Sequence, residues 1–300
     1  MGALRPAGTS FEKILNFRDV GHFVGDTTMT DAGPKLRSGR LYRSARLDDA
    51  SATDRTALVN DTGIRTVIDL RSKTELINAA KKHSDAAALA QSAVIPSSNS
   101  QIAQPLKIPG LRYEEINLNG KGFERALVWQ LSYISLARLT FLMALGYRTE
   151  GISVLGKEIM QPRGLIGLGT DTLDHSGPEI KQVFDVLSDE SAYPLLVHCT
   201  QGKDRTGITV LLVLLLCGVD LSAITADYVK SEAELEPEKE ERMKEISSIG
   251  LDETFAQCPA NFCSDIKEYL STKYGGVSNY LEKIGVDSHQ QEAVRRIMLV

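Results

Sequence analysis

The sequence predicts an α/β fold in which a central, mostly parallel, twisted sheet is flanked by helices. Two segments carry this prediction. Tyr193–Val197 is a short apolar segment that a tight loop separates from the apolar helical run Ile208–Val219, as in the strand–loop–helix units of parallel sheets. Ile64–Leu70 is a second short run of branched apolar residues, which is typical of a buried strand. We expect a single domain over residues 11–300, preceded by a flexible segment over residues 1–10.

Further elements are expected on both sides of these strands. Arg112–Leu118 alternates apolar and polar residues like a strand, and Asp54–Asp61 has the composition of a helix that Gly63 ends. Pro178 in a first-turn position predicts a helix over Glu179–Ser188. The C-terminal part from Tyr269 predicts two or three amphipathic helices.

Residues 79–109 differ in composition, with clustered Ala, Ser and Gln and three prolines. We expect a short helix followed by an irregular, mobile surface insertion. Residues 122–160 are strongly apolar and predict one long helix over Gly122–Gly146 and a second over Tyr147–Met160. Core packing is the favoured interpretation of this pair.

The loop between the strand and the apolar helix places Cys199 and Arg205 six positions apart. A helix that follows a strand and a tight loop presents unpaired N–H groups and partial positive charge, which bind anions. Gly202 allows a sharp turn, and Arg205 can donate two parallel hydrogen bonds to a phosphate. We therefore interpret this loop as a phosphate-binding site. Its binding residues would be Thr200, Gln201, Gly202, Lys203, Asp204, Arg205 and Thr206.

The same positive field favours the thiolate form of Cys199, which is the nucleophilic form of cysteine. A thiolate below a bound phosphate is positioned for in-line attack on phosphorus. We expect the Thr206 hydroxyl to bond the sulfur and His198 to shape the loop through a hydrogen bond. The alternative is that Cys199 is a buried core cysteine and that Arg205 lies on the surface.

Four segments together resemble the tyrosine/serine protein phosphatase family of bacteria and fungi, within the cysteine-dependent protein tyrosine phosphatase superfamily. They are NFRDVG at 16–21, LYRS at 41–44, DLR at 69–71 and HCTQGKDRTG at 198–207. The resemblance runs from about residue 11 to the C-terminus. It implies a protein tyrosine phosphatase-like fold with helical lid or cap segments. The C-terminal helices would form the cap, and a helical lid over the functional site is the alternative to core packing for residues 122–160. The resemblance also implies hydrolysis of phosphotyrosine, with dual-specificity or phosphoinositide activity as a further expectation.

The resemblance implies roles for Arg18 and Asp19, which would lie near the catalytic loop and support it. The alternative is a solvated surface pair. It makes Asp69 a candidate site residue, with capping of the next helix as the alternative. It also makes Lys203 a source of positive charge at the mouth of the loop, which would favour multiply phosphorylated inositol head groups.

The general acid is left open among three positions. Asp204, inside the loop, is the first choice because the resembled family assigns this role to the equivalent aspartate. Asp69 is the second choice. Asp171 or Asp174, in a loop expected over Gly164–Gly177, is the third, by analogy with the mobile acid loop of other tyrosine phosphatases.

The composition of the chain limits its binding partners and its location. The formal net charge of −5 argues against a nucleic-acid binder, and the twelve-residue run Ile208–Val219 is too short to span a membrane. No secretory signal is recognised, and the four cysteines do not suggest a disulfide framework, so we expect a reducing, cytoplasmic location. No metal or other cofactor is expected. The partner would be a phosphorylated protein or phosphoinositide substrate, and the oligomeric state is left open.

Three other functions remain as alternatives. One is a phosphate-binding pseudophosphatase, which the presence of Cys199 makes less favourable. Another is a sulfurtransferase with a comparable cysteine loop, against which the sequence GKDRTG argues. The third is a phosphoinositide, inositol polyphosphate or pyrophosphate phosphatase, which only a substrate panel would separate.

Overall fold

The computed structural model describes residues 11–27, 34–83 and 106–300. Within these residues, five strands form one sheet in the order β1-β2-β5-β3-β4. The first pair is antiparallel and the other three are parallel, which confirms the mostly parallel sheet. The strands are β1 (Arg18–Asp19), β2 (Leu41–Ser44), β3 (Thr66–Asp69), β4 (Arg112–Glu115) and β5 (Leu195–His198).

Helices cover both faces of this sheet. Those of the first half are α1 (Val20–Thr27), α2 (Ala52–Asn60), α3 (Lys73–His83), α4 (Lys121–Val128), α5 (Tyr133–Ala144) and α6 (Arg148–Leu155). Those of the second half are α7 (Gln161–His175), α8 (Gly177–Leu187), α9 (Asp204–Leu216), α10 (Leu221–Glu234), α11 (Lys239–Ser248), α12 (Phe262–Tyr274), α13 (Val277–Lys283) and α14 (Ser288–Met298). A π-helical turn, Gly156–Met160, joins α6 to α7.

The central strand β5 is buried along its whole length, and its side chains alternate between two apolar cores. Leu195 and Val197 belong to the larger core, which contains most of α9. Leu196 belongs to a smaller core on the opposite face with Leu58 of α2 and Val67 of β3. Because helices cover it on both faces, the strand is apolar at every position before His198.

The strand register aligns the carboxyl ends of three parallel strands. Ser44 of β2 and Asp69 of β3 both lie opposite His198 of β5. Cys199 therefore leaves the sheet where the neighbouring strands also end. Ligands of open α/β sheets bind at this edge.

The apolar segment 122–160 does not form one long helix and a second helix packed in the core. It is divided into α4, α5 and α6, and α5 lies largely in solvent, with Tyr133 92% and Ile134 84% exposed. The expectation of core packing is therefore wrong for α5. Its inner side packs on α6, where Gly151 allows Leu139 and Met143 to approach closely.

Two other expectations are affected by the structure. Residues 164–177 form most of α7 and not a loop, and the positive φ of 61° at Gly164 places only a kink near its start. In the segment 79–109, the first residues continue α3 to His83. The rest of the expected insertion falls mainly on residues 84–105, outside the described part of the chain.

Candidate active site

The loop after β5 turns back over the side chain of Cys199. The backbone N–H of Gly202 donates to the Cys199 sulfur at 3.2 Å. Gly202 has a φ of +68°, and a Cβ there would lie 2.0 Å from the carbonyl oxygen of Ser44. Only glycine fits this turn. α9 begins at Asp204, so its positive end lies next to the buried sulfur.

Two loop side chains do not act as the sequence suggested. Thr206 is buried, and its hydroxyl has no hydrogen-bond partner among the described residues, so the expected bond to the Cys199 sulfur is not formed. Lys203 is fully buried and does not lie at the mouth of the loop. Its ammonium group donates to Asp204 at 2.7 Å and to the carbonyl of Gln257 at 3.2 Å. The charge of Lys203 therefore supports the loop from inside.

The carbonyl groups of the loop are held from the side of β2. The amide of Asn16 donates to the carbonyls of Gln201 and Gly202, each at 3.1 Å. Arg43 donates to the Gly202 carbonyl at 2.7 Å. These three hydrogen bonds hold the backbone of Gln201 and Gly202 in place.

Arg18 belongs to this supporting network. It donates to the carboxylate of Asp227 at 2.6 Å and to Asn16, and Asp227 also pairs with Arg43. Asp19 lies apart from the loop, where it accepts hydrogen bonds from the N–H groups of Gly21 and Gly39 and so caps the start of α1. Arg18 and Asp19 are both buried, so the solvated surface pair is wrong.

Arg205 is held by Glu75 in the first turn of α3. Its two terminal nitrogens donate to the two Glu75 oxygens at 2.5 and 2.7 Å. Glu75 also accepts from the hydroxyl of Thr200 and from Ser72. Burial raises the pKa of Glu75, but the charge and hydrogen bonds of Arg205, with those of Thr200 and Ser72, outweigh burial and hold the pKa well below its usual range.

Asp69 is part of a buried cluster below the loop. It is 3% exposed and accepts three side-chain hydrogen bonds from Arg71, at 2.7 to 3.1 Å. Burial raises the pKa of Asp69, but the interactions of its carboxylate with His198 and Arg71 outweigh burial and give a net lowering. Such a carboxylate stays ionised. The helix cap that was the alternative is provided instead by Ser72, whose hydroxyl accepts from the N–H of Glu75 at 3.4 Å.

His198 connects this cluster to the loop. Its Nδ1 lies 3.1 Å from the Cys199 carbonyl, which can only accept, so Nδ1 carries a proton. Burial lowers the pKa of His198 and favours the neutral ring. Nε2 then has no proton, and it lies 3.7 Å from Asp69, beyond hydrogen-bond distance. A neutral, buried His198 orients the loop.

The candidate acids differ in position. Asp204 is 40% exposed, the most accessible of the four carboxylates considered as general acids. Asp171 binds Arg163 at 2.5 and 2.6 Å, and Asp174 binds Lys273 at 2.6 Å and two tyrosines. Both lie in α7, so the comparison with a mobile acid loop does not hold. Asp204 is also paired, with Lys203 at 2.7 Å, but it is the one of these four carboxylates that lines the cavity with Cys199.

A cavity of about 580 Å³ opens over the loop. Cys199, Thr200, Asp204 and Arg205 line one end, together with Glu75. The rest of its lining combines polar side chains of α3 with apolar side chains of α4, α6, α7 and residues 246–255. The buried sulfur and the guanidinium therefore share one cavity, and the alternative of a core cysteine with Arg205 on the surface does not fit.

A model of the tyrosine phosphatase family matches residues 9–300. The chain belongs to this family. Three relatives agree with this placement. A tyrosine-protein phosphatase of Nostoc commune is 30% identical over 163 residues, covering 49% of this chain and 55% of the relative. The triple specificity protein phosphatase PtpB of Mycobacterium tuberculosis is 29% identical over 122 residues, covering 35% of this chain and 44% of the relative.

A third relative, from Cupriavidus necator, also carries a name that refers to a tyrosine-protein phosphatase. It is 24% identical over 279 residues, covering 91% of this chain and 82% of the relative. This chain therefore aligns with about half the length of the first two relatives and with most of the third.

Sequence reasoning missed several residues that this tyrosine phosphatase family member places at its loop. Glu75 follows Ser72 at the spacing of a helix capping box, and that pattern gives no sign of a bond to Arg205. Asn16 has a positive φ of 55° within the NFRDVG motif, a conformation that Asn adopts more readily than most residues. Asp227 and Arg43 are separated by 184 residues, so only the fold reveals their pairing.

Proposed function

We propose that this chain is a cysteine-dependent phosphatase that hydrolyses phosphate monoesters, chiefly phosphotyrosine in proteins, through a thiophosphate enzyme intermediate. The observation that supports this most is that Cys199, Asp204 and Arg205 line one cavity at the positive end of α9. Membership of the tyrosine phosphatase family and the names of the relatives agree with it.

In the first step, the Cys199 thiolate attacks phosphorus. The S–P bond forms while the P–O bond to the leaving group breaks, and Asp204 gives its proton to the leaving oxygen. The loop N–H groups and the remaining edge of Arg205 stabilise the negative charge on the equatorial oxygens.

In the second step, water attacks the phosphorus of the intermediate. The Asp204 carboxylate takes a proton from the water, the new P–O bond forms, and the S–P bond breaks. The Cys199 thiolate is restored and inorganic phosphate leaves. Residues Thr200–Thr206 bind the phosphoryl group in both steps, while His198 and Arg18 support the loop.

The decisive experiment compares Cys199→Ser with Cys217→Ser on p-nitrophenyl phosphate. Cys217 is also buried, but it lies at the opposite end of α9. Cys199→Ser should abolish both the burst of nitrophenolate and steady turnover, by about a thousandfold or more, because no nucleophile remains. Cys217→Ser should keep both. Wild-type turnover in Cys199→Ser would refute the proposed function.

Phosphoinositides and inositol polyphosphates form a second candidate substrate class. The argument from Lys203 is lost, since that side chain is buried against Asp204 and Gln257. One relative is nevertheless named for triple specificity. A kinetic panel of phosphotyrosine, phosphoserine and phosphothreonine peptides with phosphoinositides separates these classes.

We further propose that residues 11–300 act as one phosphatase domain in which the segment 122–160 serves as a lid. Phe123, Leu127, Ile152 and Leu155 of this segment line the cavity, which supports that role.

All four cysteines are free and buried, which fits a cytoplasmic location. In the described part of the chain, no helix has the length and apolar character that crossing a membrane requires.

A further inference from the structure

The cavity above Cys199 is much larger than a phosphoryl group requires. Its volume of about 580 Å³ falls within the roughly 300–1,000 Å³ of pockets that enclose whole drug-sized ligands. The loop residues occupy only one end of it. The leaving group of a substrate would therefore lie in the remainder, which we call the apolar chamber.

The apolar chamber lies where two small cores meet. One core contains Phe123 and Leu127 of α4, and the other contains Ile246 and Phe255, all at most 6% exposed. Leu168 of α7 packs against both cores. These side chains line the cavity, so the chamber presents hydrocarbon from both cores.

Two cations at the cavity wall, Arg46 and Lys82, are engaged by carboxylates, and a third, Arg148, donates to the Thr74 hydroxyl at 3.1 Å. Arg46 is paired with Glu238 at 3.2 Å and with Glu245 at 3.4 Å. Lys82 is paired with Glu241 at 2.8 Å. These pairings favour a ligand with one phosphate and an apolar body over a multiply phosphorylated head group.

We propose that the enzyme hydrolyses, in addition to phosphotyrosine, amphiphilic phosphate monoesters whose leaving group is an extended hydrocarbon chain seated in the apolar chamber. This proposal rests on the phosphatase function proposed above. The Cys199 loop binds the phosphoryl group at one end, and Leu127, Leu168 and Phe255 contact the chain at the other. The reaction is the same two-step hydrolysis, which releases the alcohol and inorganic phosphate.

A peptide fits the deep part of the chamber less well than a hydrocarbon chain does. Each peptide unit carries a donor and an acceptor, and burying them without partners costs free energy. The chamber walls near Ile246, Leu251 and Phe255 present mainly side-chain carbon. A hydrocarbon chain has no such groups to satisfy.

The test is a chain-length series with the wild-type protein. Ethyl, butyl, hexyl, octyl and decyl monophosphates are assayed as monomers in solution by release of inorganic phosphate. If the chain enters the chamber, kcat/KM should rise by about threefold to fourfold per methylene group until the chamber is filled, since each buried CH₂ contributes about 0.8 kcal/mol. A plateau should follow, because further carbons reach solvent.

A matched pair of variants locates the effect. Ile152 lines the cavity on α6, whereas Ile134 on α5 is 84% exposed. Ile152→Glu should reduce the ratio of kcat/KM for decyl phosphate over ethyl phosphate by about tenfold or more, because a charge would meet the chain. Ile134→Glu should leave that ratio unchanged. Thermal unfolding checks that both variants fold. If Ile152→Glu fails to fold, it is replaced by Ile152→Trp, which fills the same space with an apolar ring.

Several outcomes would overturn the proposal. One is a flat wild-type series, and another is a rise that occurs only above the critical micelle concentration. If the series is flat and phosphotyrosine peptides with apolar neighbours are hydrolysed faster, the chamber holds peptide and not a hydrocarbon chain. p-Nitrophenyl phosphate is assayed in parallel. If it is hydrolysed through Cys199 while the series is flat, only this inference fails, whereas its failure as a substrate would refute the phosphatase function itself.

Discussion

Both carboxylate oxygens of Glu75 bind the terminal edge of the Arg205 guanidinium, at 2.5 and 2.7 Å. This contact uses Nη1 and Nη2 and leaves the edge formed by Nε and Nη2 directed elsewhere. A phosphate needs one such edge for two parallel hydrogen bonds. We therefore expect Glu75 to act as a positioning residue that sets the plane of Arg205 and leaves its second edge for substrate.

Replacing Glu75 with glutamine tests this role. In Glu75→Gln the side-chain amide faces the guanidinium with a donor, so Arg205 loses one of its two charged bonds and its fixed plane. We expect kcat/KM for p-nitrophenyl phosphate to fall by about 10- to 100-fold, and vanadate to bind more weakly by a similar factor. Glu241→Gln, which weakens the exposed pair with Lys82 and a longer contact with Arg46, is the control. Tighter vanadate binding in Glu75→Gln would instead mean that Glu75 competes with phosphate.

The choice of general acid can be tested by the pH dependence of kcat. An acid must be protonated to act, so the rate falls as pH rises through its pKa. Asp204→Asn should lower kcat by about 100- to 10,000-fold with phenyl phosphate, less with the better leaving group p-nitrophenol, and should remove the decline at higher pH. Asp69→Asn should keep that decline, because Asp69 is buried against Arg71. Retention of the decline in Asp204→Asn would show that another group protonates the leaving oxygen.

Alanine substitutions at two glycines with positive φ can distinguish the cost of backbone strain from the cost of steric overlap. Gly110 has a φ of +89° and open space where a Cβ would be added, whereas at Gly202 a Cβ would lie 2.0 Å from the Ser44 carbonyl oxygen. Gly110→Ala should cost about 1–2 kcal/mol of unfolding free energy from the backbone alone. Gly202→Ala should cost about 1–3 kcal/mol more and lose phosphatase activity. Equal urea midpoints for the two variants would contradict this account.

The sheet and the loop could be predicted because their signals are local. The strand before Cys199, the glycine at the turn and the apolar helix after it are neighbours in sequence, and the structure places β5 and α9 there. The same was true of β3, which spans Thr66–Asp69 within the predicted run Ile64–Leu70. Apolar character did not reveal which side of a helix is buried. α5 is as apolar as a core helix, yet Tyr133 and Ile134 face solvent.

The support of the loop could not be predicted because it depends on distant pairs. Glu75 and Arg205 are 130 residues apart, and Asn16 and Gly202 are 186 apart. Lys203 shows the same limitation in another way. A lysine in a polar loop is expected to point into water, but the fold surrounds it and gives it Asp204 and the Gln257 carbonyl as partners.

The buried group of Arg18, Asp227 and Arg43 should make stability depend on pH. Burial raises the pKa of Asp227, but the charges of Arg43 and Arg18 and their hydrogen bonds outweigh burial and lower it. A carboxylate with a lowered pKa stabilises the fold above its unfolded-state pKa of about 3.9, and that contribution is lost as pH falls through the folded-state value.

Replacing Asp227 with asparagine removes this contribution. Asp227→Asn should cost about 3–5 kcal/mol at neutral pH, because two buried guanidinium groups lose their counter-charge. It should also weaken the loss of stability below about pH 4. Urea unfolding as a function of pH measures both effects, with Asp185→Asn, on an exposed pair with Lys181, as the control. A cost in Asp227→Asn no larger than in that control would show that the Asp227 carboxylate does not stabilise the fold through Arg18 and Arg43.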